Sequence, residues 1–514
     1  MKKKKAILII LDGFGEGEKD RKKNAVYAAK TPFLDSLKEK HPWSLLEPGG
    51  ESVGVLPGQT GGSDVGHNTI GAGRVIRQPV KIIYDAVEDR SFFSNKELIQ
   101  SINHAKENNS NLHLFGIGSD SYIHSYTQYI YALLDLIKQE GFPGERVFLH
   151  LAADGRDTPP QSATDFFKKI ELECKKRKIG KIASVIGRFY LDRGKAWNRT
   201  RKIYQLLTDV HQKYKENWNE YLEASYAKGE TDQFIHAMAF GDENGIFPRV
   251  SDNDALINFC YRADRERQIT EALSEKDFSG FCRKKVLENF YYMGFIQYSP
   301  DFKNAHHAFE EEQADICLSE VISNAGLKQM HIAGKEKIIF VTYNLNRCEE
   351  IPIEGENDVT APQTKEVENF DENPEMSTPN LTNIFLDALG KNKNDVYIAN
   401  YENSDQVGHT GNFSATVKAI ESIDTSLSQI IPKALEKGFE IIITADHGNA
   451  DVMVDDDGNP HTAHSHNKVP CVFVSDKRVI KLRDGELSDV APTLLHILDI
   501  PKPKLMTGQV LIRP

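Results

Sequence analysis

The most informative stretch of this 514-residue chain reads Ile441-Ile442-Ile443-Thr444-Ala445-Asp446-His447-Gly448-Asn449. Its β-branched apolar run predicts a buried strand, and this strand ends in a carboxylate, an imidazole and a glycine. More imidazoles follow in Pro460-His461-Thr462-Ala463-His464. Polar ligands at the carboxyl end of a buried strand are typical of a metal site in an α/β protein, although a solvated turn would also explain a single case.

The same pattern occurs twice more. Residues 6–11 form a continuous apolar run that ends in Asp12 and Gly13, and residues 396–400 form another, followed by Asp405 and His409. Asp405 and His409 are four residues apart, so both side chains would lie on one face of a helical turn. The candidate ligands at the three strand ends are Asp12, Asp405, His409, Asp446, His447 and His464.

This set of ligands indicates two metal ions. Three carboxylates brought together without metal would repel one another and raise their pKa values. One divalent ion would leave several ligands unused, whereas two ions would use them all. Carboxylate, imidazole and serine oxygen ligands suit Mn²⁺, Zn²⁺ or Co²⁺.

A glycine-dense stretch over residues 57–68 supplies the serine, in Gly61-Gly62-Ser63-Asp64. The two glycines remove side chains just before Ser63, so a ligand can approach closely. We expect Ser63 to be the N-cap of the next helix, where free N–H groups favour an anion. Capping alone would explain the residue. Beside two metal ions, however, the serine is better interpreted as the nucleophile of a phosphoryl transfer.

The length of the chain predicts at least two domains. From about residue 78 the pattern becomes charged and helical, and strands at 111–116, 147–152 and 182–186 end in polar residues. We therefore predict a first unit of residues 1–77 and 312–514 that binds metal, with a second α/β unit of residues 78–311 inserted into it. In the first unit we expect a strand at 338–341 and a surface loop at 349–380.

The loops of the inserted unit are rich in arginine: Arg156, Arg188, Arg193, Arg262 and Arg265. Guanidinium groups bind carboxylate and phosphate oxygens through paired hydrogen bonds. Any one of these arginines would suit a surface ion pair, but five together favour an anionic substrate.

Composition excludes other classes of function. A net charge of −12 argues against nucleic-acid binding. No apolar stretch approaches the roughly 20 residues that span a bilayer, so we expect no membrane contact. The six cysteines lack CxxC spacing, which indicates a reducing compartment and hence the cytoplasm.

Seven motifs, in order along almost the whole chain, resemble those of the cofactor-independent (2,3-bisphosphoglycerate-independent) phosphoglycerate mutases of the alkaline phosphatase superfamily. They are Leu11-Asp12-Gly13, Gly62 to Asn68, Asp154-Gly155-Arg156-Asp157, Arg188-Phe189-Tyr190, Asp405 to His409, Thr444 to Asn449 and His461-Thr462-Ala463-His464. The resemblance implies an alkaline-phosphatase-like α/β fold, with a mixed or mostly parallel sheet flanked by helices and a second α/β domain inserted.

The resemblance also implies a reaction. The enzyme would interconvert 3-phosphoglycerate and 2-phosphoglycerate in glycolysis and gluconeogenesis, through a phosphoserine and without 2,3-bisphosphoglycerate. One ion, with Mn²⁺ the first choice, would be held by Asp12, Ser63, Asp446 and His447, and the other by Asp405, His409 and His464. Lys337 would steady the phosphoryl oxygens, with Lys335 as the alternative.

For the inserted domain, the resemblance assigns the substrate to His124, Arg156, Asp157, Arg188, Arg193, Arg262 and Arg265. Asp157 would carry a proton for the glycerate hydroxyls, and domain closure would exclude water. A monomer is the family expectation.

Two other functions remain open at this stage. One is a metal-dependent phosphatase or another phosphomutase of the same superfamily, which would not need the full arginine set. The other is an inactive binding or scaffold protein, which the complete ligand set disfavours. The chain also departs from the family pattern, with Gly62 and Asp64 around Ser63, Tyr126 in place of a second histidine, and residues 342–346 altered. None of these changes removes a ligand or a substrate arginine.

Overall fold

The computed structural model describes residues 4–350, 353–477 and 481–513. The chain forms two compact units, Met1–Arg77 with Glu312–Pro514 (unit 1) and Gln78–Glu311 (unit 2). Among the described residues, no helix is both long and apolar enough to cross a membrane.

The strands of the described residues are β1 Lys5–Leu11, β2 Trp43–Glu47, β3 Leu112–Ile117, β4 Val147–Ala153, β5 Lys181–Gly187, β6 Tyr214–Lys215, β7 Met238–Asp242, β8 Gly245–Ile246, β9 Ala255–Asn258, β10 Tyr291–Gly294, β11 Ala305–His307, β12 Gln329–Gly334, β13 Glu356–Ala361, β14 Val396–Tyr401, β15 Phe439–Thr444, β16 Val469–Val474, β17 Lys481–Leu482, β18 Gly485–Glu486 and β19 Ile512–Arg513.

The α-helices are α1 Ala25–Ala28, α2 Pro32–Lys40, α3 Ser63–Ala72, α4 Pro79–Glu88, α5 Lys96–Glu107, α6 Thr127–Gln139, α7 Ala163–Arg177, α8 Trp197–Thr208, α9 Trp218–Tyr226, α10 Ala263–Ser274, α11 Leu318–Asn324, α12 Thr378–Lys391, α13 Asn403–Gly408, α14 Phe413–Glu436 and α15 Val490–Leu498. Short 3-10 helices lie at Gly50–Val53, Ser91–Ser94, Gly144–Arg146, Arg188–Tyr190, Asp232–Phe234, Phe370–Glu372 and Leu487–Asp489.

Unit 1 is built on a mixed sheet with the order β13-β12-β14-β1-β15-β16-β2-β18. The five strands from β13 to β15 run parallel, and β16 is antiparallel to both of its neighbours. Strand β1 is buried along almost its whole length, because parallel strands are covered on both faces. The predicted α/β fold with a mixed sheet is confirmed.

The register of unit 1 explains why its polar strand ends meet. Leu11 of β1 pairs with Tyr401 of β14, and Ile10 pairs with Thr444 of β15. The carboxyl ends of these three adjacent strands therefore lie at one edge of the sheet. Loops that bind ligands in open α/β sheets leave from that edge.

Two local expectations for unit 1 are wrong. Residues 338–341 are helical, and a π-helical turn covers Phe340–Asn344. The apolar run had suggested a strand, but short apolar runs fit a buried helical turn equally well. The stretch 349–380 contains the edge strand β13 and the start of α12, although its polar composition had predicted a loop.

Unit 2 contains a second sheet with the order β11-β10-β9-β3-β4-β5-β7-β6, and β8 pairs with β7. The six strands from β11 to β5 are parallel, and β7 joins them in the antiparallel direction. Residues 154, 188 and 262 follow the carboxyl ends of β4, β5 and β9, so the loops that carry arginines leave one edge of this sheet.

A chain of buried polar side chains crosses the sheet of unit 2. Nε2 of His113 lies 3.2 Å from a carboxylate oxygen of Asp254, and Nδ1 of His113 lies 2.9 Å from Nε2 of His150. Nδ1 of His150 lies 2.7 Å from the hydroxyl of Ser184. Burial lowers the pKa of both imidazoles, and with neutral rings the hydrogen bonds run from Ser184 to His150, to His113 and to the Asp254 carboxylate, which only accepts. This direction requires both imidazoles to be neutral.

The two segments that connect the units are fastened together within unit 1. Nη1 of Arg74 lies 2.6 Å from Oε1 of Glu312, and Nε of Arg77 lies 3.1 Å from Oε2. The backbone N–H of Arg77 also donates to Oε2, at 3.0 Å. The polypeptide therefore leaves unit 1 and returns to it at one place.

Candidate functional site

The polar strand ends of unit 1 form two groups of candidate metal ligands. The first contains Asp12, Asp446 and His447, and the second contains Asp405, His409 and His464. Within each group, one possible ligand atom from every residue lies within 4.8 Å of the others. The six residues therefore converge in the same two groups that the family resemblance implies.

Ser63 lies at the first group. Its Oγ is 3.2 Å from Oδ1 of Asp12 and 3.0 Å from Nε2 of His447. The serine is the first residue of α3, and Gly62 is the N-cap, so the expected capping role is wrong by one position. At this place the hydroxyl points to the ligands instead of closing the helix end.

Lys337 brings a positive charge to both groups. Its Nζ lies 2.7 Å from Oγ of Ser63, 2.8 Å from Oδ1 of Asp12 and 2.7 Å from Oδ2 of Asp405. Burial would lower the pKa of Lys337, but the two carboxylates outweigh it and raise this pKa above its usual value. Lys335 is exposed, so the geometry favours Lys337 over its neighbour.

The carboxylates respond unequally to this arrangement. Burial and the nearby carboxylate of Asp446 raise the pKa of Asp12, although Lys337 opposes them. Burial also acts to raise the pKa of Asp405, but the Lys337 ammonium and the neighbouring imidazoles hold it well below its usual range. Asp405 is therefore ionised in this arrangement and available as an anionic ligand.

The second group presents two imidazole nitrogens to one carboxylate. Nε2 of His409 and Nε2 of His464 lie 3.2 Å and 3.5 Å from Oδ1 of Asp405, and 3.3 Å from each other. Their Nδ1 atoms lie 2.7 Å and 2.8 Å from the carbonyl oxygens of Thr462 and Gly61. In a neutral ring whose Nδ1 donates to a carbonyl, Nε2 keeps its lone pair, which is the form that binds metal. Burial acts to lower the pKa of His409, but its contact with the Asp405 carboxylate raises it, so a metal would have to displace a proton from this ring. Burial and His447 also lower the pKa of His464 to about 4, so its ring is neutral.

In the first group, the carboxylate of Asp446 offers one oxygen to a metal ion. Oδ1 of Asp446 accepts hydrogen bonds from the backbone N–H groups of Gly13 and His447. Its Oδ2 is buried and makes no well-aligned hydrogen bond within the described residues, although Nδ1 of His67 and Nε2 of His447 lie 3.3 Å and 3.5 Å away. A buried, unpaired carboxylate oxygen is costly, and a cation would compensate it. The donor atoms of both groups therefore fit divalent ions.

Three supporting residues were not found by sequence reasoning. Asn400 donates to Oδ2 of Asp12 at 2.7 Å, and its amide nitrogen also lies 3.1 Å from Nε2 of His67. Nδ1 of His67 lies 2.8 Å from the carbonyl oxygen of Ser63 and 3.3 Å from Oδ2 of Asp446. Asn449 donates to Oδ1 of Asp405 at 2.9 Å. The spacing of four residues between Ser63 and His67 was a usable signal, since such residues share a helix face.

In unit 2, Arg188 is the centre of a buried cluster. Nη1 contacts Asp154 and lies 2.6 Å from Oδ2 of Asp157, while Nη2 lies 3.0 Å from Nε2 of His124. Burial and the Arg188 charge lower the pKa of His124 to about 4, so the imidazole accepts from the guanidinium. The Nε of Arg188 and the Nδ1 of His124 are buried without a hydrogen-bond partner.

The other arginines of unit 2 lie around Asp264. Arg193 donates to its Oδ2 at 2.9 Å, and Nε of Arg262 lies 3.5 Å from its Oδ1. Arg265 is buried and donates to the carbonyl oxygen of Leu191 at 2.8 Å. Arg156 is exposed. Asp154, which contacts Arg188, and Asp264, which contacts Arg193 and Arg262, were not among the predicted site residues.

Comparison with known proteins identifies the family. A 2,3-bisphosphoglycerate-independent phosphoglycerate mutase of Bacteroides fragilis is 39% identical over 511 residues, covering 99% of this chain and 100% of the relative. Another, from Methanosarcina barkeri, is 42% identical over 514 residues, covering 99% and 98%. The chain belongs to the 2,3-bisphosphoglycerate-independent phosphoglycerate mutase family. It is therefore an isomerase by family.

Two further findings agree with this family. The protein-family model described as "BPG-independent PGAM N-terminus" matches residues 83–300 of this chain, which lie inside unit 2. The crystal structure of Leishmania mexicana phosphoglycerate mutase at low cobalt concentration matches with a TM-score of 0.73 and 26% identity, covering 100% of this chain and 98% of that one. The resemblance stated from the motifs is confirmed.

Proposed function

We propose that this enzyme interconverts 3-phosphoglycerate and 2-phosphoglycerate through a phosphoserine at Ser63, without 2,3-bisphosphoglycerate. The observation that carries the proposal is the position of the Ser63 hydroxyl, in contact with Asp12, His447 and Lys337. A buried serine in contact with a lysine and beside carboxylates and imidazoles suits a nucleophile.

The proposal includes two divalent ions, with Mn²⁺ as the first choice and Zn²⁺ or Co²⁺ as alternatives. Asp12, Ser63, Asp446 and His447 would hold one, and Asp405, His409 and His464 the other. When bound, the ions would stabilise the alkoxide of Ser63 and the charge on the transferring phosphoryl group. The convergence of the two Nε2 atoms of the second group on Oδ1 of Asp405, and the buried Oδ2 of Asp446, support this assignment.

In the first half-reaction, Ser63 reacts as the alkoxide and Asp157 begins protonated. The Ser63 oxygen attacks the phosphorus of 3-phosphoglycerate and the bond from phosphorus to the C3 oxygen breaks. Lys337 donates a hydrogen bond to Ser63 and can do the same for a phosphoryl oxygen, since it has three donors. The released C3 oxygen takes a proton from the Asp157 carboxyl group. The products are phosphoserine and glycerate.

In the second half-reaction, the C2 hydroxyl of glycerate gives its proton to the Asp157 carboxylate and attacks the phosphoserine. The bond between Ser63 and phosphorus breaks, 2-phosphoglycerate forms, and no proton is consumed overall. Glycerate would be held by residues of unit 2, which are His124, Arg156, Asp157, Arg188, Arg193, Arg262 and Arg265. Their guanidinium groups suit the carboxylate of glycerate and the phosphate.

We infer that the enzyme is a monomer and acts in the cytoplasm on a small-molecule substrate, without nucleic acid or membrane as a partner. Closure that excludes water during the glycerate stage would separate mutase from phosphatase chemistry.

Phosphorus NMR tests the reaction. Metal-stripped enzyme would receive 3-phosphoglycerate, then Mn²⁺, with 2,3-bisphosphoglycerate rigorously left out. We expect 2-phosphoglycerate without free phosphate. Free phosphate as the main product would identify a phosphatase instead.

A pair of serine variants tests the nucleophile. Ser63→Ala should keep the fold and most metal binding but lose phosphoryl transfer, because no other hydroxyl occupies this position. Ser36→Ala is the control, since within the described residues that hydroxyl donates to the carbonyl oxygen of Phe33 alone. Substantial turnover by Ser63→Ala would remove this residue from the nucleophile role.

A further inference from the structure

A cavity of about 400 Å³ lies at the outer edge of the unit 1 sheet, beside the edge strand β13. One wall is the helical stretch that follows Lys337, including Ile339, Thr342 and Tyr343. The other wall carries carboxylates, among them Glu350, Glu356 and Asp358. None of these residues belongs to the two groups at the strand ends.

Glu356 is the unusual member of this cavity. Its side chain is only 5% exposed. Oε1 accepts a hydrogen bond of 2.7 Å from the amide of Asn346, but Oε2 is buried and has no hydrogen-bond partner among the described residues. Leaving a carboxylate oxygen unpaired in a buried place is costly, so this atom calls for a compensating ligand.

The neighbourhood offers Glu356 little positive charge. Nδ1 of His331 lies 3.4 Å from its Oε1, but this nitrogen is hydrogen-bonded to the carbonyl oxygen of Val341 at 2.7 Å. Burial lowers the pKa of His331 to about 4, so the ring is neutral near pH 7. The guanidinium of Arg347 is engaged by Glu320 and Glu349. No lysine or arginine of the described residues lines the cavity.

The carboxylates instead reinforce one another. Glu356 and Asp358 are two residues apart on β13, so their side chains point to the same face of the strand. Burial and Asp358 together raise the pKa of Glu356 to about 8. Two close carboxylates with little compensation bind either a proton or a cation. The size of the cavity beside them leaves room for an ion with part of its water shell.

We propose that this cavity is a binding site for a hard divalent cation of the Mg²⁺ or Ca²⁺ type, held by the carboxylates of Glu356 and Asp358 with water completing the coordination. Oxygen ligands of this kind suit hard cations. The cation neutralises the two neighbouring carboxylates on the edge strand, and so stabilises unit 1. The site is independent of the proposed reaction, because it uses none of its ligands.

Terbium luminescence tests the site directly, since Tyr343 lines the cavity and can sensitise a bound Tb³⁺. The enzyme would first be loaded with Mn²⁺, so that the strand-end groups are filled. We expect sensitised emission that Ca²⁺ displaces, and a melting temperature that rises with Ca²⁺. Tyr343→Phe should weaken the emission but keep the rise in melting temperature.

Variants of the carboxylates decide the outcome. Glu356→Gln, which keeps the shape of the side chain, should weaken the apparent affinity for Tb³⁺ by about tenfold or more, since affinity follows the charge of the ligands. Glu354→Gln, at an exposed carboxylate two residues earlier that does not line the cavity, is the matched control and should bind as the wild type does. Unchanged binding in Glu356→Gln would overturn the proposal. So would a melting temperature that ignores Ca²⁺ and rises in Glu356→Gln, because Glu356 would then simply hold a proton.

Discussion

Lys337 should be the residue whose replacement most clearly separates the metal-free enzyme from the metal-loaded one. In the structure its ammonium joins Asp12, Asp405 and Ser63, and both of its ion-pair partners are buried. Lys337→Met removes this charge and keeps a similar length of apolar chain. Without metal, two carboxylates would then remain buried with too little positive charge.

The magnitude follows from the burial of these groups. Removing one partner of a buried ion pair costs about 3–5 kcal/mol, because the remaining charge is left uncompensated. At about 2–4 °C for each kcal/mol in a domain of this size, the melting temperature of unit 1 should fall by roughly 6–20 °C. Divalent ions bring positive charge to the same carboxylates, so the loss should be much smaller once the metals are bound.

Calorimetry of metal-stripped and Mn²⁺-loaded protein would measure both differences, with the transition of unit 1 analysed separately from that of unit 2. Lys335→Met is the matched control, since Lys335 is exposed and lies two residues away. It should change neither state, and it should keep phosphoryl transfer, which Lys337→Met should lose. An equal loss of stability with and without metal would refute this account of Lys337, as would a large effect of Lys335→Met.

Two further predictions concern supporting residues. His67→Leu should weaken metal binding by about 10–100-fold in chelator competition, because His67 and Asn400 orient the carboxylates of Asp12 and Asp446. The control is His496→Leu, at an exposed position, which should bind metal as the wild type does. Wild-type metal affinity in both variants would contradict the role of His67. Burial lowers the pKa of His113 and His150, so the unfolded chain binds more protons below about pH 6.5 and stability should fall as the pH falls through that value. A melting temperature of unit 2 that stays constant from about pH 7.5 to about pH 5 would be incompatible with neutral imidazoles at these positions.

The strand ends of unit 1 were predictable from two signals in the sequence, the end of each apolar run and the metal-binding residue types that follow it. A buried parallel strand must be apolar throughout, so the first polar residue after it marks the edge of the sheet. Asp12 and Asp446 occupy such positions, and Asp405 lies in the short helix α13 just after β14. The register of β1, β14 and β15 brings the three strand ends together. The carboxylates and imidazoles then restrict the chemistry to hard or borderline metal ions.

Other features of the fold and the site could not be predicted from local sequence patterns. The run Ile338 to Val341 is as apolar as a strand, yet it forms a helical turn, because tertiary packing decided between two structures that periodicity alone cannot separate. Strand β13 is an edge strand, and edge strands are often polar. Its backbone hydrogen bonds to β12 form the strand, although its composition does not indicate one. Asn400 was missed for a similar reason: its role depends on His67, which is 333 positions away in sequence.

The pairing of Arg74 and Arg77 with Glu312 has a consequence for how such an enzyme can be built. Because the outgoing and returning segments are tied together within unit 1, the 234 residues of Gln78–Glu311 interrupt its sequence without opening its structure. Loop-closure entropy grows only slowly with loop length, so an insertion of this size adds little to the cost of folding unit 1. A gene encoding only the outer unit would need no more than a short linker between residues 77 and 312, and a different inserted domain could be attached at the same point. The ion pairs of Arg74 and Arg77 with Glu312 thus allow unit 2 to be replaced by another inserted domain.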